Sequence, residues 1–487
     1  MGIVVNQSIK NTIITYLGFG IGAINVVFLY TKFLSDNYFG LITFILSTAN
    51  ILMPLMAFGT HNTIIKFYST FKTRQSQNGF LTLVLFLPLL IILPLGTVGV
   101  FAYDWIGNWL SRENPIIKDY TWLIYISAIT FAYFEVFYAW SKVHLHSVFG
   151  NFMKEVFHRL CITILLFALY LDLLNEHQLI YAIVVVYFLR MLIMKLYAFN
   201  LKLPVFKLVK IPKLKNVLKY SALIIIAGSI ANIILEIDKF MIGQFEALKN
   251  VAYYGVAIYI ATVIGVPSRS MHQITNPLTA KLLNDKNKKE LKQLYQKSSI
   301  NLFIVSGFIF LAILININEL YLMIPENYSE GFLVVFVIGL AKLSDNLIGN
   351  NNAILFNSDY YRVVLIFGII LALLTVLLNL IFIPYYGING AAYASCITIL
   401  FYNSIKLFFV YKKFKIQPFT PQTLQTLGLI VFCGLILYFW EFPFLPIVNI
   451  ALKSLLLVIT YGFAVYWFNI SEEISSIIKT FITKKTL

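Results

Sequence analysis

The sequence predicts an all-α polytopic membrane protein with about fourteen transmembrane helices, and three observations predict it. Only 12 % of the 487 residues are charged, about half the share of a soluble domain. Mean hydropathy is +0.82. Apolar stretches of about 20 residues, enough to cross hydrocarbon at helical rise, recur from end to end. The predicted spans are 9–31, 39–59, 79–103, 120–140, 156–171, 178–194, 220–235, 251–268, 298–318, 331–350, 363–383, 390–405, 425–440 and 448–468. The segments after residues 34, 384 and 443 read as tight turns, which makes their flanking helices antiparallel hairpins.

Charge sets the orientation. With the N-terminus in the cytoplasm and strict alternation, 28 of the 37 basic residues fall on the cytoplasmic side and five on the external side, which holds 13 of the 21 acids. The two sides then carry about +22 and −8, as the excess of Lys and Arg in cytoplasmic loops requires. Both termini are therefore expected inside. The net charge of +16 follows from topology, and nucleic acid is not an expected partner.

The densest basic run, NLKLPVFKLVKIPKLKNVLK (200–219), holds six lysines, two prolines and no acid. It reads as the cytoplasmic link between the sixth and seventh helices. Pro204 and Pro212 argue against one continuous helix there. Its lysines attract anionic headgroups by ~1 kcal/mol each. Gathering of an anionic substrate is the competing role. The first apolar run is of spanning length without an A-x-A-like site, so no cleavable signal is expected. Asn6 stands where a myristoylation motif needs Ser or Thr. Cys161, Cys396 and Cys433 are scattered in apolar surroundings, which indicates neither disulfides nor a metal cluster.

The link also separates two similar halves. The first helix ends Asn25-x6-Lys32-Phe33 and the seventh ends Asn232-x6-Lys239-Phe240. Phe39-Gly40 and Tyr254-Gly255 open the next helices, which carry Pro54 and Pro267. Four matches in order suggest a six-helix repeat, the parallel plan of some transporters. The expected organisation is an N-terminal lobe (1–199), the basic linker (200–219), a C-terminal lobe (220–410), and helices thirteen and fourteen with a cytoplasmic tail (411–487).

Two sets of residues are candidates for function. Asn11, Thr15, Gly18, Gly22 and Asn25 form one stripe on the first helix, either a face for close helix packing or the wall of a wet cavity. Asn232 is its counterpart on the seventh helix. Ionisable groups within or near spans are the sharper signal, because each is costly in lipid. They are Glu135, Arg159, Arg190, Arg269, and Lys342 with Asp345, plus Lys66 just beyond the second helix. Lys342 and Asp345, three apart on one face, read either as a paired contact or as cavity groups. Arg159, Arg190 and Lys453 could instead snorkel to an interface. The bases outnumber the acids, which suits an anionic cargo.

Enzyme signals are poor. There is no Walker A sequence, no external Asp-x-Asp pair, and no large external loop. His144-x-His146 offers only two metal ligands in a basic loop, and neither His61 nor His272 reads as a catalyst. No cofactor and no metal are expected.

FLSDNYFGLITFILSTANILMPLMAFGTHNTIIKFY (33–68), DKFMIGQFEALKNVAYYGVAIYIATVIGVPSRSMHQITNPLTAKL (238–282) and IPYYGINGAAYASCITILFYNSIKLFFVYKKF (383–414) carry a family resemblance. They resemble the bacterial polysaccharide flippases, the O-antigen-type branch of the multidrug/oligosaccharidyl-lipid/polysaccharide exporter superfamily. The resemblance implies two six-helix lobes around a cavity that opens alternately to either side of the bacterial cytoplasmic membrane. It implies an undecaprenyl-diphosphate-linked oligosaccharide as cargo, membrane lipids and other polysaccharide-assembly proteins as partners, and leaves open proton or sodium coupling. Lys66 stands where many relatives show Arg. The first helix lacks the acid of cation-coupled multidrug members and the Arg-Asp pair of the peptidoglycan lipid II flippases. Alternative readings are an integral-membrane glycan polymerase or O-acyltransferase, and a cation-coupled multidrug antiporter.

Overall fold

The computed structural model describes residues 3–205 and 214–484. Among them every regular element is a helix, as the composition requires of a chain whose backbone must satisfy itself in lipid. Ten helices are long and apolar enough to cross a membrane, or eleven when the bent helix Leu214–Phe245 counts as one span.

Three local breaks separate that number from the expected fourteen. Tyr361–Phe414 is helical except at Gly387, whose φ of 55° and ψ of −133° suit a residue without a Cβ. The chain reverses there: the Tyr360 ring lies 5.4 Å from Phe409 and 5.9 Å from Phe414. The hairpin expected after residue 384 is thus present. The fifth helix passes through a π turn, Met153–Phe157, between Val148–Phe152 and His158–Tyr170. The tenth breaks at Gly349 (φ 55°) between Phe332–Leu347 and Asn351–Phe356. Asparagines satisfy the backbone and side chains around this break. Asn346 Nδ2 donates to the Ile264 carbonyl (2.8 Å), Asn350 Nδ2 to Thr279 Oγ1 (2.7 Å) and Asn351 Nδ2 to Tyr295 Oη (2.6 Å).

Two compact units meet in sequence at Gly255/Val256. Residues 206–213 of the basic link lie outside the described residues. Leu214 already opens the seventh helix, which packs along Asp36–Met56 in the first unit. Gly243 admits the Phe44 ring, and Asn232 Nδ2 donates to the Asn50 carbonyl at 2.8 Å. Asn114 donates to the carbonyls of Gly243 and Glu246 (both 2.9 Å) and accepts from the Leu248 amide (3.0 Å).

The first unit is built around Trp140, Phe134, Phe80 and Met194. In the second, helices thirteen and fourteen lie on the ninth. Ile430 fills the space over Gly307, and Tyr461 Oη donates to the Ile304 carbonyl at 3.0 Å.

The polar stripe of the first helix faces the fifth. Asn11 Nδ2 donates to Ser147 Oγ at 3.0 Å, and Asn151 Nδ2 to the Asn11 carbonyl at 3.0 Å. A Cβ at Gly18 would fall 2.3 Å from the Glu155 carbonyl oxygen. Gly18→Val must therefore push two helices apart, at a cost of about 1–3 kcal/mol. It should lower the unfolding midpoint of the purified protein. Gly20→Val, where nothing lies within 4 Å of the new Cβ, should leave it unchanged.

Candidate functional site

The first unit holds a polar cavity of about 360 Å³, lined by Asn50, Phe131, Glu135, Lys154, Glu155, His158, Arg159, Tyr187, Arg190, Asn232 and Glu236, among others. Helical spacing brings these groups together. Phe131 and Glu135 are one turn apart on the fourth helix, Tyr187 and Arg190 on the sixth, and Asn232 and Glu236 on the seventh. On the fifth, the π turn Met153–Phe157 widens the helix where Lys154 and Glu155 enter the wall. Such turns recur at functional sites.

Most charges here are paired. Lys154 Nζ lies 2.6 Å from Glu135 Oε1. Arg159 Nη1 donates to Glu155 Oε2 at 3.1 Å and to the Glu155 carbonyl at 2.7 Å. Lys239 Nζ meets Glu236 Oε2 at 2.5 Å.

Arg190 differs. It is 7 % exposed, and among the described residues no carboxylate lies within ion-pair distance of it. Its Nε is buried without a partner. Its guanidinium is instead enclosed by rings, 4.2 Å from the Phe134 centroid, 4.8 Å from Tyr187 and 5.6 Å from Phe131. The snorkelling alternative therefore fails for Arg190, which sits in mid-helix against aromatics. It fails for Arg159 too, whose charge meets Glu155.

Four of the nine candidates thus share one cavity: Glu135, Arg159, Arg190 and Asn232. Asn25 does not line it. Asn25 is buried, donates from Nδ2 to the Arg159 carbonyl at 2.8 Å and accepts from Thr163 Oγ1 at 2.7 Å. It braces the fifth helix from behind, so the packing reading of its stripe prevails over the wet wall. Lys66 is exposed, its Nζ 3.8 Å from the Tyr220 centroid.

Arg269, Lys342 and Asp345 belong to the second unit. Arg269 is exposed, and Lys342 is half-buried beside Gly265. The ion pair of Asp345 is made with Lys406, not with Lys342. Lys406 Nζ, fully buried, lies 3.9 Å from Asp345 Oδ1, 3.1 Å from Asn352 Oδ1 and 4.1 Å from the Tyr402 centroid. A three-residue spacing placed Asp345 on the right face, but another helix supplies the cation. Lys453 does not snorkel either. It is 2 % exposed, with Nζ 3.8 Å from Glu319 Oε1.

The two histidines of His144-x-His146 are committed elsewhere. His144 Nδ1 donates to the Trp140 carbonyl (2.7 Å) and its Nε2 meets Tyr68 Oη (3.0 Å). Partial burial pushes its pKa below the usual histidine range. His146 Nδ1 meets Tyr197 Oη at 3.3 Å. Among the described residues no group of three or more metal-ligating side chains assembles.

Residues 4–273 match the family model described as polysaccharide biosynthesis protein. The chain belongs to that family. No curated protein sequence matches it significantly. Its fold is similar to that of a lipid II flippase, MurJ, in an inward closed conformation, at a TM-score of 0.72 and 15 % identity over 95 % of this chain and 100 % of that one. It is also similar to an inward-facing multidrug resistance MATE family transporter of the MOP superfamily, at a TM-score of 0.60 and 13 % identity over 84 % and 94 % of the two chains. A MATE transporter in complex with MaL6 gives 0.56 at 12 % identity over 84 % and 96 %. The fold is the multi-pass helical one that these membrane proteins share.

For this polysaccharide biosynthesis protein, sequence reasoning missed four cavity groups. The predicted fifth span, 156–171, leaves Lys154 and Glu155 outside it and puts His158 near its start. That helix begins at Val148, so all three lie inside it. The predicted seventh span ends at 235, one residue short of Glu236, yet that helix runs on to Phe245. The i,i+4 spacing of Glu155 and Arg159 and the i,i+3 spacing of Glu236 and Lys239 were the available signals.

Proposed function

We propose that this chain is a flippase that carries a polyprenyl-diphosphate-linked oligosaccharide, undecaprenyl in bacteria, from the inner to the outer leaflet of the cytoplasmic membrane by alternating access. The observation that carries this reading is Arg190. A buried guanidinium without a carboxylate partner among the described residues, facing a polar cavity inside a membrane-spanning helix, is costly unless an anion uses it. The family's role in polysaccharide biosynthesis and the likeness to a lipid II flippase support the same class of cargo.

The chemistry is consistent. A diphosphate cannot cross hydrocarbon unaided, since each charge costs several kcal/mol at the bilayer centre. In the cavity, Arg190 and the Arg159 and Lys154 cations replace its hydration, while Asn50 and Asn232 offer amide groups to sugar hydroxyls. A volume of about 360 Å³ lies in the small-ligand range of about 300–1,000 Å³. With both termini inside, outward movement of an anion gains ~2.3 kcal/mol per charge per 100 mV. Lys66, Arg269 and Lys342 would draw the headgroup toward its path.

A second reading has one observation in its favour. The first unit also holds an apolar cavity of about 630 Å³, walled by Tyr103, Trp109, Trp122, Tyr125 and Phe240, which suits a hydrophobic drug. A deletion strain separates the two. The flippase reading expects complete lipid-linked oligosaccharide stranded on the inner leaflet and cured by the wild-type gene. Normal surface glycan together with lost cation-dependent dye efflux would refute it.

A further inference from the structure

We propose that Glu135 and Glu155 make the cavity selective for a headgroup with two adjacent anionic phosphates over the single phosphate of ordinary phospholipids. This rests on the flippase reading and deepens it. A cavity lined by free cations and open to a bilayer would fill with singly charged headgroups, which vastly outnumber any lipid-linked precursor. This cavity is not lined that way.

Three basic side chains (Lys154, Arg159, Arg190) share its wall with three acidic ones (Glu135, Glu155, Glu236). Glu135 holds Lys154 at 2.6 Å and Glu155 holds Arg159 at 3.1 Å, while Glu236 is neutralised by Lys239. Arg190 alone among the described cavity cations has no carboxylate, and its Nε is buried and unpartnered. A lone phosphate therefore gains one guanidinium. A second cation can be won only by displacing a carboxylate, and one anionic group that already occupies Arg190 cannot do both.

A diphosphate can. One phosphate takes Arg190 and the adjacent one competes with Glu155 or Glu135 for Arg159 or Lys154. The competition at Arg159 is eased because its Nη1 also rests on the Glu155 carbonyl, which holds the side chain in place when the carboxylate leaves. Specificity here is a difference of affinities, set by a repulsive element against the wrong ligand. Glu135 and Glu155 are that element.

The test measures two affinities on full-length protein in phosphatidylcholine nanodiscs. One ligand is a short-chain prenyl-diphosphate monosaccharide, the other a short-chain phosphatidylglycerol. Glu135→Gln and Glu155→Gln keep shape while freeing a cation, and each should raise phosphatidylglycerol affinity about tenfold, the effect of roughly one charge-assisted contact. The diphosphate should gain less, so the selectivity ratio shrinks. Glu473→Gln, which breaks the solvent-exposed pair with Lys297, should leave the ratio unchanged. An unaltered ratio in both cavity variants, with the wild type still binding diphosphate, overturns the selectivity role alone. Full diphosphate affinity in Arg190→Met overturns the flippase site itself, and this role with it.

Discussion

Arg190→Met should abolish diphosphate binding and glycan export while making the protein more stable, not less. The two halves of that result come from one fact. The guanidinium is buried among Phe131, Phe134 and Tyr187 without an ion pair among the described residues. A desolvated cation–π contact contributes about 2 kcal/mol or more, here divided among rings around a single guanidinium, against a desolvation penalty of several kcal/mol for the charge. Methionine has similar length, packs against the same rings and carries no such penalty. A rise of a few degrees in the unfolding midpoint is expected, since about 1 kcal/mol moves a large protein by ~2–4 °C.

Binding moves the other way. Two charge-assisted hydrogen bonds of about 1.5–3 kcal/mol each disappear, a loss of roughly 10² to 10⁴ in affinity. Arg190→Lys should recover part of the binding, because an ammonium keeps the charge but lacks the planar fork and the ring stacking. Calorimetry and thermal unfolding on the same preparation check both signs. A residue kept for folding would lose stability and binding together, and that outcome would remove Arg190 from the site.

The fold was largely legible, and the physics explains which parts were. Lipid leaves the backbone no choice but helices, so apolar length alone finds most spans. The breaks were harder. One of them, at Gly387 with its φ of 55°, falls in the tight turn that the sequence announces after residue 384. The π turns at Ile24–Leu29 and Met153–Phe157 leave no trace in hydropathy, and it is the second of them that carries Lys154 and Glu155 into the wall.

The cavity was legible only in part for a related reason. Hydropathy flags a charge inside a span as costly but does not show its partner. Arg159, Arg190 and Glu135 were flagged in this way, and all three line the polar cavity. Lys154 and Glu236 were counted as loop charges because they lie near apparent span ends. Asp345 was matched to the nearest base in sequence, Lys342, although Lys406, 61 positions on, is its partner. Asn25 looked like a cavity wall because small and polar residues serve packing and hydration equally well. The carbonyl of Arg159, its acceptor, is invisible to any side-chain pattern.

The pair Lys453–Glu319 should respond to mutation in the opposite sense to Arg190. Here both charges are present, 2 % and 7 % exposed, and they share a network. Lys453 Nζ lies 3.8 Å from Glu319 Oε1 and donates to the Ile315 carbonyl at 3.4 Å, while Asn449 Nδ2 donates to Glu319 Oε1 at 2.9 Å. The network ties helix Pro446–Trp467 to Lys288–Tyr321. Lys453→Met leaves an uncompensated carboxylate in the membrane, at a cost of about 3–5 kcal/mol. Its unfolding midpoint should fall by ten degrees or so. Replacing both, Lys453→Met with Glu319→Leu, removes the orphan and the penalty together, so stability should return to near the wild-type value even though the ion pair is gone. A double mutant as unstable as the single one would mean that the charges themselves hold the helices together. A single mutant of unchanged midpoint would mean that Glu319 has another cation, or a proton, to turn to. Export should follow stability in this series, because the pair belongs to the second unit and none of its atoms line the cavity of the first.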